Sequence, residues 1–244
     1  MLKYNATMMG KKSRHPAGLF VTGTETGVGK TYVGVLIARA LCAAGRRVGV
    51  YKPAASGCRH LRGELVSDDA AALWDAAGRP GPLHRVCPQR FLAPLAPHLA
   101  AREEGRRLDP ELLRGGLEYW RRRADVILVE GAGGLMSPLG DDEYVADLAF
   151  EFRFPLIVVA RNGLGTINQT LQTLIAAATF RDGLSVAGIV LNHPAPPGDD
   201  PSVATNAREL AARCVPPLLA EVAWNSAKFD RKVDWAALAS PGTC

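Results

Sequence analysis

The hydrophobic positions of the chain form short continuous runs that alternate with helix-like patterns. Continuous aliphatic runs are typical of buried strands, which we predict at Ala17–Thr22, Arg47–Lys52, Asp125–Glu130, Pro155–Ala160, Val186–Asn192 and Pro217–Val222. Apolar residues at helical spacing predict helices at Lys30–Ala44, Pro110–Arg123, Thr166–Phe180 and Ser202–Cys214. Strands and helices therefore alternate along most of the chain.

Alternation of this kind predicts an α/β fold. Hydrophobic strands separated by helices form a doubly wound, mostly parallel sheet with helices on both faces. Right-handed crossovers bring the carboxyl ends of the strands to one edge, where ligands bind. We therefore expect functional residues just after the strands. The segment Arg79–Pro97 is rich in proline and lacks periodicity, which predicts a long irregular connection.

Length and composition favour a single domain. The 244 residues, 48% hydrophobic and 22% charged, are typical of one globular α/β domain, which we expect at 17–244. Residues 1–16 carry basic side chains but no hydrophobic stretch, so we expect a flexible extension rather than a secretory signal or an anchor. No apolar run approaches the roughly 18 residues of a membrane span, which argues against a membrane partner.

The net charge of +5 does not by itself indicate a nucleic-acid partner. The run Arg121–Arg123 lies at the end of a predicted helix, where cations complement the helix dipole. No aromatic residues alternate with basic ones as they do in single-strand binders. The five cysteines form no C-x-x-C pair, which is typical of the reducing cytoplasm. We therefore predict a cytoplasmic protein with no nucleic-acid partner.

A glycine-rich loop, Gly23–Thr31, joins the first predicted strand to the first predicted helix. Its glycines allow several backbone N–H groups to face phosphate oxygens, and the helix N-terminus adds partial positive charge. Lys30 can bridge the β- and γ-phosphates, and the Thr31 hydroxyl can ligate Mg²⁺. The leading glycine, Gly23, stands one residue earlier than in the general motif. This loop predicts a triphosphate site in a P-loop NTPase-like fold.

Charged residues lie at the ends of two other predicted strands. Lys52 would project toward bound phosphate, although a solvated lysine before the Pro53 turn is the alternative. Glu130 ends an apolar strand and is followed by glycines, which is typical of a carboxylate that holds Mg²⁺. Asp68 and Asp69 are either first-turn residues of a helix or magnesium ligands.

Asn192 ends a further predicted strand. Its amide can read the edge of a purine ring, because it offers both a donor and an acceptor. A loop-starting Asx turn is an equal alternative.

Taken together, these residues resemble the dethiobiotin synthetases. The motifs that carry the resemblance span roughly Phe20 to Trp224 and read F-V-T-G-T-E-T-G-V-G-K-T, Y-K-P-A-A-S-G, P-L-A-P-H, V-E-G-A-G-G, G-L-G-T-I-N and A-G-I-V-L-N. The early position of Gly23 is itself the pattern of this family. The resemblance implies carboxylation and ring closure of 7,8-diaminopelargonate with CO₂ or bicarbonate, with ATP as co-substrate and Mg²⁺ as cofactor. A carbamate and a carbamic-phosphoric anhydride are the implied intermediates, and ADP and phosphate are released.

The resemblance also implies residue roles. The catalytic residues are Lys52 and Lys30, and the magnesium ligands are Thr31, Asp69 and Glu130. ATP is contacted by Gly27, Val28, Gly29, Lys30, Thr31, Tyr32, Asp69, Glu130, Gly131, Ala132, Gly133, Asn192, His193, Ala223, Trp224 and Asn225. Substrate is contacted by Thr26, Ser56, Leu164 and Asn168. Asp69 is preferred over Asp68 because the family's aspartate directly precedes an alanine.

The resemblance further implies a homodimer, with the substrate at the interface and the Gly163–Asn168 loop reaching in from the partner. Two departures affect the purine pocket. The family often has proline where this chain has Ala223, and an aspartate where it has His193.

Two other classes share parts of the pattern. Partition or positioning ATPases carry a second lysine near the start of the phosphate loop, but Gly23–Val28 contains none. Cobyrinate-type amidotransferases need an additional glutaminase domain, for which the 244 residues leave no room. The sequence therefore favours the ligase.

Overall fold

Ten strands and ten helices are present in the computed structural model, which describes residues 17–196 and 198–240. The strands are β1 (Ala17–Gly23), β2 (Val48–Tyr51), β3 (Ala54–Ala55), β4 (Arg59–Leu61), β5 (Glu64–Val66), β6 (Gln89–Arg90), β7 (Val126–Gly134), β8 (Leu156–Arg161), β9 (Val186–Asn192) and β10 (Leu218–Val222). The helices are α1 (Lys30–Ala43), α2 (Asp68–Ala76), α3 (Leu83–Val86), α4 (Pro97–Glu103), α5 (Pro110–Gly115), α6 (Leu117–Arg121), α7 (Val145–Phe152), α8 (Thr166–Thr179), α9 (Val203–Arg213) and α10 (Trp235–Ala239).

Six strands form one parallel sheet in the order β10-β9-β8-β1-β7-β2. The strand β1 lies inside the sheet, and consecutive side chains of a strand point to opposite faces. Leu19, Phe20 and Val21 are nevertheless all 0% exposed, so both faces of β1 are covered. The doubly wound α/β fold predicted from the sequence is therefore confirmed.

The predicted strands and long helices agree with the structure to within one or two residues at most ends. Gly45 has φ 73°, the left-handed conformation expected of the residue after a helix. The prediction of a single helix over Pro110–Arg123 is wrong, because this segment is divided into α5 and α6 at Gly116. A Cβ on Gly116 would lie 2.3 Å from the Tyr51 hydroxyl, which packs at the division.

Two other expectations need correction. The prediction placed Glu130 at a strand end, but β7 continues to Gly134 because Gly23 pairs with Gly134 in the β1–β7 ladder. The segment Arg79–Pro97, predicted to be irregular, also contains the short elements α3 and β6. The prediction of a flexible extension concerns residues 1–16, which lie outside the described part of the chain. Within residues 17–196 and 198–240, none of the helices has the length and apolarity that a bilayer crossing requires.

Candidate active site

Four side chains from four elements meet beside the phosphate loop, and we call Thr31, Lys52, Asp69 and Glu130 the charged cluster. Lys52 follows β2 and is 4% exposed, and Glu130 in β7 is 1% exposed. The Lys52 ammonium donates a hydrogen bond to Glu130 Oε1 and lies 3.1 Å from Asp69 Oδ2. The Thr31 hydroxyl donates to Glu130 Oε1 at 2.9 Å. The alternative of a solvated Lys52 is thereby wrong.

Electrostatics keep this lysine charged. Burial lowers the pKa of Lys52, but the nearby charges of Glu130 and Asp69 outweigh burial and raise it above its usual value. Burial raises the pKa of Asp69, but Lys52 outweighs it, and the net pKa is lowered. A lysine that stays protonated is a fixed cation, so this geometry favours charge stabilisation over proton abstraction.

The two neighbouring aspartates have different surroundings. Ser67 caps α2, its hydroxyl accepting from Ala70 N at 3.2 Å, and both aspartates lie in the first turn. Asp68 points away from the cluster and pairs with Arg59, whose Nε lies 2.8 Å from Asp68 Oδ1. Asp69 faces Lys52. This arrangement supports the choice of Asp69 over Asp68.

The phosphate loop has the backbone geometry that its glycines allow. Gly27 and Gly29 have φ 80° and 91°, which side-chain-bearing residues rarely adopt. Lys30 is 8% exposed, and its ammonium donates to the Glu25 carbonyl at 3.0 Å, so it lies across the loop. Burial lowers the pKa of Lys30. The α1 helix begins at Lys30, which places its N-terminus at the loop.

The oxygen atoms of the charged cluster fit a magnesium ion. Mg²⁺ takes one or two carboxylates together with substrate phosphates and water. Asp69 and Glu130 supply the carboxylates, and Thr31 supplies a hydroxyl. Glu130 Oε2 is buried and, among the described residues, has no hydrogen-bond partner, which leaves it free to act as a ligand. No group of three or more His, Cys, Asp or Glu within 17–196 and 198–240 could hold a metal by itself.

The residues assigned to substrate lie in three places. Thr26 is exposed, and its hydroxyl lies 3.6 Å from the place of a Cβ on Gly133. It lines a groove of about 470 Å³ with Gly134, Ser137 and the α8 residues Gln169 and Thr173. Ser56 is half-buried just after β3. Leu164 and Asn168 are exposed and do not line this groove.

The residues assigned to the purine lie after β9 and β10, and we call His193, Ala223, Trp224 and Asn225 the purine rim. Asn192 ends β9 and is 2% exposed, and its Nδ2 donates to the Val28 carbonyl at 2.8 Å. Asn192 therefore also supports the phosphate loop. In the rim, Trp224 is 48% exposed and Asn225 has φ 54°. The Asx-turn alternative for Asn192 has no support from these contacts.

Sequence comparison gives the family. The chain is 44% identical over 214 residues to the ATP-dependent dethiobiotin synthetase BioD of Rhodopirellula baltica, covering 83% of this chain and 82% of that relative. It is 49% identical over 194 residues to the same enzyme of Anaeromyxobacter dehalogenans, covering 80% and 84%. A family model described as an AAA domain matches residues 17–228.

The chain belongs to the ATP-dependent dethiobiotin synthetase family. Comparison with solved structures supports the fold of the chain and nothing further. The signal recognition particle receptor FtsY of Elizabethkingia anophelis has a TM-score of 0.51 at 14% identity, covering 93% of this chain and 67% of its own. A ParA family ATPase of Chlorobium tepidum has a TM-score of 0.50 at 16% identity, covering 85% and 83%. Both agree with the predicted P-loop fold.

Several contacts of this dethiobiotin synthetase family member were missed by sequence reasoning. The Tyr32 hydroxyl donates to the Ser226 carbonyl at 2.9 Å, which ties α1 to the loop after β10. The buried Asn162 amide lies 3.1 Å from His193 Nε2 and accepts from Asn206 Nδ2 at 2.8 Å. These residues are 31 to 194 positions apart, and no local pattern in the sequence indicates such pairs.

Proposed function

We propose that this chain carboxylates 7,8-diaminopelargonate and closes it to dethiobiotin with ATP. The main support for this proposal is the buried Lys52 ammonium, which lies between Glu130 and Asp69 beside the phosphate loop. The chain that carries this arrangement belongs to the dethiobiotin synthetase family. The reaction brings an anionic carbamate to an anionic triphosphate. Fixed cations that offset this repulsion stabilise the transition state.

In the proposed reaction, one amine of the substrate attacks CO₂ and loses a proton to give a carbamate. A carbamate oxygen then attacks the γ-phosphorus, and the bond to ADP breaks. The second amine attacks the carbonyl carbon of the anhydride and loses a proton, and phosphate leaves with the electron pair of the broken C–O bond as the cyclic urea forms. Ring closure is intramolecular, so positioning supplies much of the rate.

Individual residues have distinct roles in this proposal. Lys30 and the N–H groups of Gly27–Tyr32 bind the phosphates, with Gly131, Ala132 and Gly133 opposite them. Lys52 binds the carbamate oxygen and the transferring phosphoryl group as a permanent cation. Thr31, Asp69 and Glu130 would hold Mg²⁺, which supplies neutralisation of phosphate charge when bound.

The substrate and the base have separate contact residues. Thr26 and Ser56 contact the diamine and its carbamate, a role supported by the groove that Thr26 lines. Asn192 and the purine rim bind the adenine. The rim offers the indole ring of Trp224 and the amide of Asn225, so we expect the base to be held by stacking and amide contacts.

The product assay tests the function. The purified protein is incubated with the diamine, bicarbonate, Mg²⁺ and ATP, and dethiobiotin is measured by mass spectrometry. We expect dethiobiotin that depends on all four components. ATP hydrolysis without dethiobiotin would disprove the assignment.

We also propose a homodimer in which Leu164 and Asn168 contact the substrate of the partner. Leu164 is 88% exposed, so its side chain is accessible to a partner protomer. Mixing a Lys52→Ala protomer with an Asn168→Ala protomer tests the sharing, because each mixed dimer would regain one intact site. Random exchange should restore about a quarter of wild-type activity. A mixture no more active than its two components would contradict a shared site.

We propose a cytoplasmic location. The four described cysteines, Cys42, Cys58, Cys87 and Cys214, are all free thiols, which suits a reducing compartment. Fractionation of the source cells should recover the protein with the cytoplasmic enzymes, and recovery with a membrane fraction would contradict the proposal.

A further inference from the structure

The loop after β8 combines an exposed side chain with a firmly held backbone. Leu164 is 88% exposed, whereas Asn162 and Gly163 are buried. Exposed loops normally leave their backbone groups to water. Here the carbonyl and the N–H group of the Gly163–Leu164 peptide bond are both hydrogen-bonded to side chains of one other segment, residues 200–206. The backbone that carries the leucine is therefore held in one position.

Asp200 holds the amide of this loop. Its Oδ2 accepts from Leu164 N at 2.7 Å, and its Oδ1 accepts from the Ser202 backbone N–H and hydroxyl at 2.9 and 2.7 Å. The Ser202 hydroxyl and the Leu164 N–H keep the pKa of Asp200 below its usual value. The carboxylate is thus a charged acceptor with its direction fixed by Ser202, and such bonds are stronger than neutral ones.

Asn206 holds the carbonyl side of the same loop. It is 2% exposed, and its Nδ2 donates to Gly163 O at 3.1 Å and to Asn162 Oδ1 at 2.8 Å. A buried amide that is not fully paired costs about 1–3 kcal/mol, so this side chain strongly favours one loop conformation.

We propose that Asp200 and Asn206 are positioning residues for the diamine, because they fix the place of Leu164. The inference rests on the proposed function, in which Leu164 contacts the substrate. Neither side chain touches the reacting atoms or the phosphate loop. Their loss should therefore weaken diamine binding and leave the phosphoryl-transfer residues in place.

Kinetics of Asp200→Ala and Asn206→Asp test the proposal, after the wild-type protein has been shown to make dethiobiotin. The second variant keeps the shape of the side chain but removes the donor. We expect KM for the diamine to rise about tenfold in each, the scale of one charge-assisted hydrogen bond for Asp200 and of a broken buried pair for Asn206. The ATP comparison is made in Asp200→Ala, where KM for ATP should change less than about twofold, because Asn206 also bonds Asn162, which contacts His193 of the purine rim. Equal increases in both KM values of Asp200→Ala, or no increase for the diamine in either variant, would overturn the proposal.

Two matched controls and one direct readout complete the experiment. Asp199→Ala removes the same charge one residue away, and Thr205→Ala removes a hydroxyl of α9 that bonds within its own segment to Ser202 O. Both should keep the wild-type KM for the diamine. Hydrogen exchange of the Leu164 amide should be faster in Asp200→Ala than in Asp199→Ala. Unchanged exchange would overturn the role of Asp200 whether or not the protein makes dethiobiotin.

Discussion

The charged cluster and the purine rim differ in how they are built. The charged cluster lies on strands and helix starts, is nearly closed to solvent at Lys52 and Glu130, and pairs its charges internally. The purine rim lies on loops, and Trp224 is half exposed. Phosphoryl transfer needs charges in fixed positions, whereas a flat base can be bound by adaptable contacts. Substitutions in the cluster should therefore affect chemistry and stability, and substitutions in the rim should affect affinity modestly.

The largest effect is expected for Lys52→Ala. Removing the cation that faces the transferring group should lower turnover at least about a thousandfold, equivalent to roughly 4 kcal/mol of transition-state stabilisation. Nucleotide affinity should stay within about tenfold, or roughly 1.4 kcal/mol, because Lys30 and the loop remain. Steady-state kinetics and nucleotide titration measure the two effects. Full turnover in this variant would remove Lys52 from the mechanism.

The next effect is on stability, in Glu130→Gln. This substitution leaves the buried Lys52 ammonium without its closest partner, and breaking a buried pair in this way costs about 3 kcal/mol. The double variant Glu130→Gln, Lys52→Met should regain most of that loss, since no unpaired charge remains. Urea denaturation measures both free energies of unfolding. Equal destabilisation in the single and double variants would mean that the pair is not the cause.

Alkaline pH should also destabilise the region under the charged cluster. The carbonyl of Val86 accepts from Lys52 N at 2.8 Å, and burial raises the pKa of the adjacent Cys87 to about 12. The unfolded thiol titrates near 8.5, so the folded state keeps a proton that the unfolded state loses. Stability is then fully present below about pH 8.5 and falls as pH rises, by about 1.4 kcal/mol per unit. The raised pKa of Lys52 adds a further loss above about pH 10.4.

Cys87→Ala is the control for this pH effect. Between about pH 8.5 and 10 its free energy of unfolding should decline less steeply than that of the wild type. The difference in slope should be about 1.4 kcal/mol per pH unit, the contribution of one titrating group. Identical slopes in the two proteins would exclude Cys87 as the titrating group.

The smallest effect is expected beside the purine rim, for Tyr32→Phe, because the Tyr32 hydroxyl bonds Ser226 in the loop that carries the rim. The lost hydrogen bond to the Ser226 carbonyl should weaken ATP binding by about 1 kcal/mol or less, because the carbonyl can bond water instead. Isothermal titration with ATP measures the change, and turnover should be preserved. A loss of turnover comparable to that of Lys52→Ala would break the distinction between rim and cluster.

The sequence predicted the regions where local chemistry decides the structure. Buried strands such as Val186–Asn192 need continuous hydrophobic residues, and the phosphate loop needs glycines at fixed spacing, so both were recognised. The helix α7 was missed because its core-facing residues, such as Leu148 and Phe152, span barely two turns. The division at Gly116 depends on the Tyr51 hydroxyl, which is far away in the chain.

The difference between local signals and long-range contacts also explains which residues of the site were predicted. Lys52 and Glu130 follow or end hydrophobic runs and so carry a local signal. Asp200 and Asn206 act on a loop about 40 residues earlier, through contacts at 2.7 to 3.1 Å that exist only in the folded chain. Helical periodicity in the sequence places Asn206 in α9 but does not indicate that it contacts this loop. Contacts of that kind could not have been predicted without the structure.

The stoichiometry of ATP use distinguishes phosphorylation of a carbamate from simple hydrolysis of ATP. The protein is given isotope-labelled bicarbonate, ATP and Mg²⁺, with and without the diamine, and ADP and labelled dethiobiotin are quantified together. If the charged cluster serves phosphorylation of a carbamate, ADP and labelled dethiobiotin should form in equal amounts, and ADP release should nearly stop without the diamine. ADP release at the same rate without the diamine, and without label in dethiobiotin, would contradict the account.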